Sequence, residues 1–287
     1  MTIAITGATG QLGRLVIDVL LRTRPASELV AVVRDADKAV DLAERGVAVR
    51  VAPYESRADL VTAFDGVDRL LFISGSEAGQ RLTQHQNVVA AAIEAGVGSI
   101  VYTSAPRADD TDLVLAPEHK ATEELIAASG LASTILRNNW YTENYAATVQ
   151  QAAATGQFVG SAGDGRVASA SRIDFAEATS VVLTTDGHQG AVYELGGDIA
   201  WTMTDLAAAI SEVVGRPVSY VDLSHDEHVA ALVEAGLPEG TAGFVAALDA
   251  NIAAGALDGP TGEISRLIGR PSTPLVEGLR AVVPTRP

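Results

Sequence analysis

The sequence predicts an α/β fold in which a doubly wound parallel sheet is accompanied by a smaller, mainly helical C-terminal lobe. Short β-branched runs alternate with longer helical stretches up to about residue 137. Several of these runs, such as 29–33, are almost continuously apolar, which is typical of strands buried on both faces of a parallel sheet. After about residue 138, glycines and prolines divide the chain into shorter segments.

The alternation places the elements in order along the chain. Strands are predicted over Ile3 to Thr6, Leu29 to Val33, Val47 to Val51, Leu70 to Ser74, Ser99 to Thr103 and Ser133 to Leu136. Helices are predicted between them, over residues 11–23, 35–45, 58–64, 80–95 and 118–129. Later helices are predicted over residues 140–154 and 172–185, a strand over 191–195 that can rejoin the sheet, and short helices from residue 201 onward.

Composition and charge exclude several classes of function. The 287 residues include 36 acidic and 20 basic ones, for a net charge of −16, which disfavours nucleic acid and anionic membranes as partners. No cysteine is present, so disulfides, thiolate metal sites and cysteine nucleophiles are excluded. The apolar runs are shorter than the ~18 residues of a membrane-spanning helix. Because no basic leader precedes the first apolar stretch, a cytoplasmic protein is expected.

A glycine-rich turn follows the first predicted strand and opens the first helix, in the order Thr6-Gly7-Ala8-Thr9-Gly10-Gln11-Leu12-Gly13. In this context Gly7 permits a tight turn, Gly10 lets the backbone approach a diphosphate, and Gly13 allows close packing of helix and strand. The helix N-terminus adds a partial positive charge. Glycines also mark purely structural turns, but the position between strand and helix predicts dinucleotide binding. No Gly-Lys dipeptide exists, which excludes a phosphate loop of the nucleotide triphosphatase kind.

The end of the second strand bears on which cofactor is bound. An acidic residue there would bond the ribose hydroxyls of NAD, but Arg34 occupies the position. Because a guanidinium pairs with a 2′-phosphate, NADP(H) is predicted, with NAD(H) as the alternative. Asp35 is expected to cap the next helix, Lys38 is a weaker phosphate ligand, and a solvated helix start is the alternative role for Arg34.

Polar and aromatic side chains stand where later strands end, and ligands of such sheets bind at those ends. The segments are Ser74-Gly75-Ser76-Glu77, Tyr102-Thr103-Ser104 and Arg137-Asn138-Asn139-Trp140-Tyr141. Amides such as Asn139 and Asn144 suit a carboxamide, and the flat faces of Trp140 and Tyr141 suit a ring. The alternative is that the two aromatic residues anchor the smaller lobe.

Taken together, these motifs resemble the NmrA-like atypical short-chain dehydrogenases, and in particular the type-2 NAD(P)H:quinone oxidoreductases. The resemblance includes 84–87, 136–145 and 163–165 and extends to Leu267-Ile268-Gly269. It implies a Rossmann-like fold and reduction of quinones by hydride transfer from the nicotinamide C4 of NADPH. It also implies a cofactor site formed by Gly7, Ala8, Thr9, Gly10, Gln11, Leu12, Arg34, Ser74, Gly75, Ser76, Tyr102, Thr103, Ser104, Asn138, Asn139, Trp140, Tyr141, Asn144 and Arg172.

The catalytic tyrosine of ordinary short-chain dehydrogenases is missing. In that superfamily it precedes a lysine by four residues; here Lys120 occupies the lysine position and Ala116 stands four residues earlier. A ketone needs a positioned acid because its alkoxide is strongly basic, whereas water can protonate a hydroquinone anion. The sequence therefore favours quinones over ketones as substrates, and no catalytic residue is predicted. Lys120 is either a helper at the ribose hydroxyls or a surface lysine.

Two histidine motifs have alternative interpretations. His225 and His228 have a spacing that metal ligands can adopt, but Ser224 and Glu227 form a helix capping box in this stretch, so no metal site is predicted. His85 on the fourth helix is either a pocket residue or a packing residue.

The leading hypothesis is an NADPH-dependent quinone reductase with a dinucleotide-binding domain of residues 1–137 plus about 171–197. Residues of about 138–170 and 198–287 are expected to form a substrate-binding lobe that takes a quinone or another flat acceptor through Trp140, Tyr141 and Asn144. The rival hypotheses are a non-catalytic NADP(H) sensor and a reductase of dyes or similar flat molecules. The sequence leaves open the physiological acceptor and whether the chain forms a homo-oligomer.

Overall fold

The computed structural model describes residues 1–75, 77, 79–259 and 261–283. The chain forms two compact units. The first contains residues 1–109, 115–138 and 175–194, and the second contains residues 110–114, 139–174 and the chain from Leu195 onward.

The elements follow one another as short strands and helices. The strands are β1 (Ile3–Thr6), β2 (Leu29–Val33), β3 (Ala48–Val51), β4 (Arg69–Phe72), β5 (Ser99–Ser104), β6 (Ala132–Asn138), β7 (Gln157–Gly160), β8 (Arg166–Val167), β9 (Val192–Leu195), β10 (Trp201–Thr202) and β11 (Ser219–Asp222). The helices are α1 (Gln11–Leu20), α2 (Val40–Glu44), α3 (Arg57–Ala63), α4 (Arg81–Glu94), α5 (Ala116–Ala128), α6 (Ala146–Thr155), α7 (Arg172–Thr184), α8 (Met203–Val214), α9 (His225–Glu234), α10 (Glu239–Ala253), α11 (Glu263–Ile268) and α12 (Leu275–Arg280).

A seven-stranded sheet in the order β3-β2-β1-β4-β5-β6-β9 confirms the predicted doubly wound fold. The first six strands pair in parallel, with Ile3 of β1 opposite Leu29 on one side and Arg69 on the other. Strand β9 is also parallel, because the hydrogen bonds from Ile135 N to Ala191 O and from Asn139 N to Leu195 O advance together along both segments. The strand order reverses between β1 and β4, which is where ligands bind in sheets of this type.

Burial in the core of the first unit explains why the central strands are apolar runs in the sequence. All residues of β1 and β2 are buried, and residues of β4 and β5 such as Leu70, Phe72 and Tyr102 are fully inaccessible to solvent. Val88 and Ala92 on α4 pack into the same cluster. Helices therefore cover the central strands, as the continuous apolar runs predict.

The predicted helix over residues 35–45 is split in two. A 3-10 turn spans Ala36–Ala39, and α2 begins only at Val40. The predicted cap is confirmed, because the Asp35 carboxylate accepts a hydrogen bond of 3.0 Å from Asp37 N. The cap fixes a tight first turn, and the buried Ala39 then has a φ of −118°, which interrupts the regular helix.

The second unit is mainly helical, with α6 and α8 to α12. It also contains two small sheets that the sequence did not predict, an antiparallel pair of β8 with β10 and a parallel pair of β7 with β11. Strands of two to four residues carry too little alternation to be read from sequence. Among the described residues, no helix has both the length and the apolar character needed to cross a membrane.

The predicted helix over residues 140–154 is wrong at its start. Helix α6 begins at Ala146, after a 3-10 turn over Thr142–Tyr145. Upstream of the turn, Asn139 Oδ1 accepts a hydrogen bond of 2.7 Å from Trp140 N, and Thr142 N donates to Ala170 O at 2.9 Å. These bonds hold Trp140 and Tyr141 in extended backbone, so both rings come from a loop.

Candidate dinucleotide-binding site

A cavity of about 390 Å³ lies in the first unit at the carboxyl ends of β1 to β4. It is therefore at the reversal of strand order, where a dinucleotide would be expected. Its lining residues are Gly7, Thr9, Gly10, Val32, Val33, Arg34, Lys38, Ala52, Tyr54, Glu55, Ile73, Ser74, Gly75, Glu77 and Gln84.

The glycine turn forms the floor of this cavity. Gly7 has a φ of +60°, which favours glycine, and its carbonyl accepts a hydrogen bond of 2.9 Å from Gly10 N. A Cβ on Gly13 would lie 2.4 Å from Gly7 O, so α1 could not pack this closely with any other residue there. No side chain caps α1 at Gly10, and the first N–H groups of the helix therefore remain available for an anion.

The other predicted residues of the turn have different positions. Thr9 lines the cavity, the side chains of Ala8 and Leu12 are buried, and Gln11 is exposed at the start of α1. Arg14 holds the turn in place, because its Nε donates to Thr9 O at 3.3 Å and its Nη1 pairs with Asp41 at 2.6 Å. The geometry fits a diphosphate at the α1 N-terminus.

Arg34, which the sequence predicts as a 2′-phosphate ligand, lies at the rim of the cavity. Its side chain is 66% exposed, and its Nη1 pairs with Glu77 Oε1 at 2.6 Å. Lys38 also lines the cavity. Two cations that line the same cavity as the glycine turn before α1 suit a cofactor that carries an additional phosphate.

Three polar lining residues were not among the site residues predicted from the sequence. Tyr54 and Glu55 directly follow β3, and Gln84 lies in the first turn of α4. Tyr54 OH donates to Ile73 O at 2.7 Å, and burial raises the pKa of this tyrosine far above its ordinary value. Tyr54 and Glu55 could have been predicted from the sequence, because they form an aromatic and polar pair just after the third strand. This strand ends at the same edge of the sheet as β2, where ligands bind.

Side chains fix the backbone of the segment after β4. Ser74 N donates to Thr103 Oγ1 at 3.0 Å, and Gly75 N donates to His85 Nε2 at 3.0 Å. Arg81 Nε donates to Gly75 O at 2.7 Å, so both polar groups of Gly75 are held. His85 is fully buried, and it positions this segment without lining the cavity itself. The predicted residue Ser76 lies outside the described residues.

The buried histidines behind the segment are uncharged. His85 accepts at Nε2, so its proton is on Nδ1, which lies 2.8 Å from Thr122 Oγ1. Burial, followed by the positive charge of Arg81, lowers the pKa of His85 to about 3. The same two causes lower the pKa of His119 to about 3, and its Nδ1 lies 2.9 Å from Tyr102 OH.

These two histidines should make the protein sensitive to mild acid. Their folded pKa is about 3, whereas the unfolded chain takes up each proton near 6.5, so between these values the unfolded state binds more protons. We expect the free energy of unfolding to fall by about 1.4 kcal/mol per pH unit for each histidine as the pH drops from about 6 to about 5. Urea denaturation across this range measures the slope.

A substitution separates this effect from other acid-sensitive groups. His85→Asn cannot take up the proton, so we expect it to remove about one histidine's share of the slope. A slope in His85→Asn equal to that of the wild type would contradict the assignment.

The predicted residues at the end of β5 do not line the cavity with their side chains. Tyr102 is fully buried and packs against Phe72 with ring centroids 5.1 Å apart. Thr103 acts through its contact with Ser74 N, and the Ser104 hydroxyl donates to Glu123. Asn138 is buried at the end of β6.

The second unit brings together three of the predicted residues. The Arg172 guanidinium lies over the Tyr141 ring, 4.8 Å from its centroid, and its Nη2 donates to Asn144 Oδ1 at 2.7 Å. Glu143 accepts from Arg172 N at 2.9 Å. Burial lowers the pKa of Arg172, although the opposite charge of Glu143 partly offsets this effect. Trp140 and Asn139 are half-buried in the same loop.

The structure supplies no catalytic tyrosine at the position of Ala116, which is buried at the start of α5. Lys120 lies one turn later, with Nζ 3.5 Å from Asp109 O. Ser224 and Glu227 form the predicted capping box at the start of α9, and the buried His228 has its Nδ1 2.9 Å from Ser161 Oγ. Among the residues that the structure describes, no group of three His, Cys, Asp or Glu side chains is placed to hold a metal ion.

Comparison with known proteins identifies the class to which this site belongs. A family model described as NAD(P)H-binding matches residues 7–186, and the chain belongs to this family. Within it, the chain is an NmrA-like atypical short-chain dehydrogenase related to the type-2 quinone oxidoreductases. Quinone oxidoreductase 2 of Escherichia coli (strain K12) is 50% identical over 277 residues, covering 96% of this chain and 97% of that protein.

Solved structures agree over nearly the full length. The E. coli NADPH-dependent quinone oxidoreductase complexed with NADPH has a TM-score of 0.95 at 49% identity, covering 98% of this chain and 99% of that one. The Citrobacter sp. triphenylmethane reductase complexed with NADP(H) has a TM-score of 0.94 at 40% identity, covering 98% of this chain and 100% of that one.

Proposed function

We propose that this protein is an NADPH-dependent quinone oxidoreductase. The observation that carries the proposal is the cavity at the sheet reversal, with the glycine turn at its floor and Arg34 at its rim. It occurs in a chain that is 50% identical to E. coli quinone oxidoreductase 2. Shared fold alone would not define the reaction, but this level of identity over nearly the whole length supports it.

The first unit is proposed to bind the cofactor. The N–H groups at the start of α1 would hold the diphosphate, and Arg34 with Lys38 would face the 2′-phosphate. Ser74 and Gly75 would contact the cofactor from a backbone that Thr103, His85 and Arg81 keep rigid. NADPH supplies the hydride when bound, so the protein's task is to position it.

The second unit is proposed to bind the flat acceptor. Trp140 and Tyr141 offer ring faces, and Asn144 offers an amide next to them. The Arg172 guanidinium over Tyr141 fixes one of these rings. The roles of Asn138, Asn139 and Arg172 as cofactor ligands and of Lys120 as a helper remain predictions, as does a cytoplasmic location.

Reduction of a dye is a second candidate, because the Citrobacter sp. triphenylmethane reductase is 40% identical to this chain. A single assay separates the candidates: NADPH oxidation is followed with a panel of quinones, triphenylmethane dyes and ketones. Quinone turnover supports the proposal, and turnover of dyes alone favours the second candidate. Tight NADPH binding without turnover of any acceptor would instead indicate a sensor.

Arg34→Ala should weaken NADPH binding about ten- to a hundredfold while changing NADH binding much less. The reason is that a charge-assisted contact with the 2′-phosphate contributes ~1.5–3 kcal/mol, and NADH lacks this phosphate. Titration of cofactor fluorescence measures both dissociation constants. Arg57→Ala is the matched control, because Arg57 also forms an exposed pair, with Glu94 at 2.7 Å, but does not line the cavity. Equal losses for both cofactors would contradict this role of Arg34.

A further inference from the structure

We propose that Glu77 is a specificity-determining residue that weakens the preference for NADPH over NADH by placing a negative charge on Arg34. The inference rests on the proposed function, since it concerns the cofactor of that reaction. Glu77 lies on the segment after β4 and reaches the guanidinium of Arg34 at the end of β2. Both residues line the same cavity.

A buried amide holds the Glu77 carboxylate in place. Gln84 Nε2 donates to Glu77 Oε2 at 3.0 Å and to Glu55 Oε1 at 2.7 Å, and Gln84 is only 5% exposed. The other carboxylate oxygen of Glu77 accepts from Arg34 at 2.6 Å. Glu77 is therefore bonded at both oxygens, and it would have to break a hydrogen bond to a buried partner to leave the rim of the cavity.

The charges at the rim of the cavity determine how the contact between Arg34 and Glu77 affects phosphate binding. Arg34 and Lys38 favour a phosphate, while Glu77 and Glu55 on the same cavity repel it. A guanidinium has five N–H donors, and the contact with Glu77 uses Nη1, so Arg34 can receive a phosphate while still paired. The phosphate then approaches a carboxylate that is 2.6 Å from the same guanidinium. A ribose with free hydroxyls brings no charge and meets no such repulsion.

The test is Glu77→Gln, which removes the charge and keeps an oxygen that can accept from Arg34. Dissociation constants for NADPH and NADH are measured by fluorescence titration of the purified protein without acceptor. We expect NADPH to bind about three- to tenfold more tightly, with NADH changed by less than about twofold. Because Arg34 and Glu77 are 66% and 40% exposed, the gain should shrink in high salt.

Two further variants test whether the change in NADPH affinity comes from the contact between Glu77 and Arg34. Glu94→Gln removes a carboxylate from the exposed pair with Arg57, outside the cavity, and should leave the NADPH to NADH ratio unchanged. In an Arg34→Ala background, Glu77→Gln should give a smaller gain, since no guanidinium is then left for the carboxylate to neutralise and only its direct repulsion of the phosphate remains.

The outcomes separate this inference from the function on which it rests. A wild type that prefers NADPH, together with Glu77→Gln of unchanged ratio or weaker NADPH binding, overturns the role of Glu77 and leaves the proposed function standing. A wild type that binds neither cofactor overturns both.

Discussion

Gly10→Val should reduce NADPH affinity by at least about a hundredfold while the fold persists. Gly10 lines the cavity directly before α1, and the branched side chain would occupy the space through which the backbone approaches the diphosphate. Its φ of −74° is accessible to valine. A Cβ there would lie 3.1 Å from Gly7 O, so the turn needs only a small adjustment. Fluorescence titration measures the affinity, and circular dichroism with thermal unfolding reports on the fold.

A matched glycine substitution controls for general effects on stability. Gly240 lies in α10, and a Cβ on it would meet no atom within 4 Å, so Gly240→Val should bind NADPH normally. Normal NADPH affinity in Gly10→Val, with an unchanged spectrum, would mean that the loop is only a structural turn.

Simple ketones and aldehydes should be reduced at least about a hundredfold more slowly than benzoquinones. A positioned general acid contributes about 10²- to 10⁴-fold, and Ala116 stands where the tyrosine acid of related dehydrogenases would be. Tyr102 cannot replace it, because its hydroxyl is buried against His119. The measurement is kcat/KM for NADPH oxidation with paired ketone and quinone substrates. Efficient ketone turnover would overturn the proposed chemistry.

Substitution of Trp140 and Tyr141 extends the same kinetic assay to the binding of the acceptor. Trp140→Ala combined with Tyr141→Ala should raise the KM for quinones by about two- to tenfold for each ring, since one stacking contact contributes ~0.5–1.5 kcal/mol. The dissociation constant of NADPH should change less. A larger effect on NADPH than on quinone would assign the two rings to the cofactor.

The architecture of the first unit could be predicted because its signals are local and periodic. Strands β1 and β2 are almost continuously apolar because both faces of a central parallel strand are buried, whereas the edge strand β3 contains Arg50 and is partly exposed. The glycine turn is equally local, since strand, turn and helix are contiguous in residues 3–20. Residues 140–154 gave a misleading helical pattern because bonds to Ala170, far along the chain, keep Trp140 and Tyr141 extended.

By itself, the sequence determined the parallel sheet, the glycine turn and the cation at the end of β2, because each depends on residues that are adjacent in the chain. Only the tertiary structure decided what surrounds that cation. Glu77 is 43 residues from Arg34 and Gln84 is 29 residues from Glu55, yet the return of β4 beside β1 brings them to one cavity. The same packing buries His85 behind Gly75 and fixes its neutral tautomer. Hydrogen bonds between side chains of separate strands and helices produce no periodic pattern in a single sequence. The contacts around Arg34 and Gly75 could therefore be identified only from the tertiary structure.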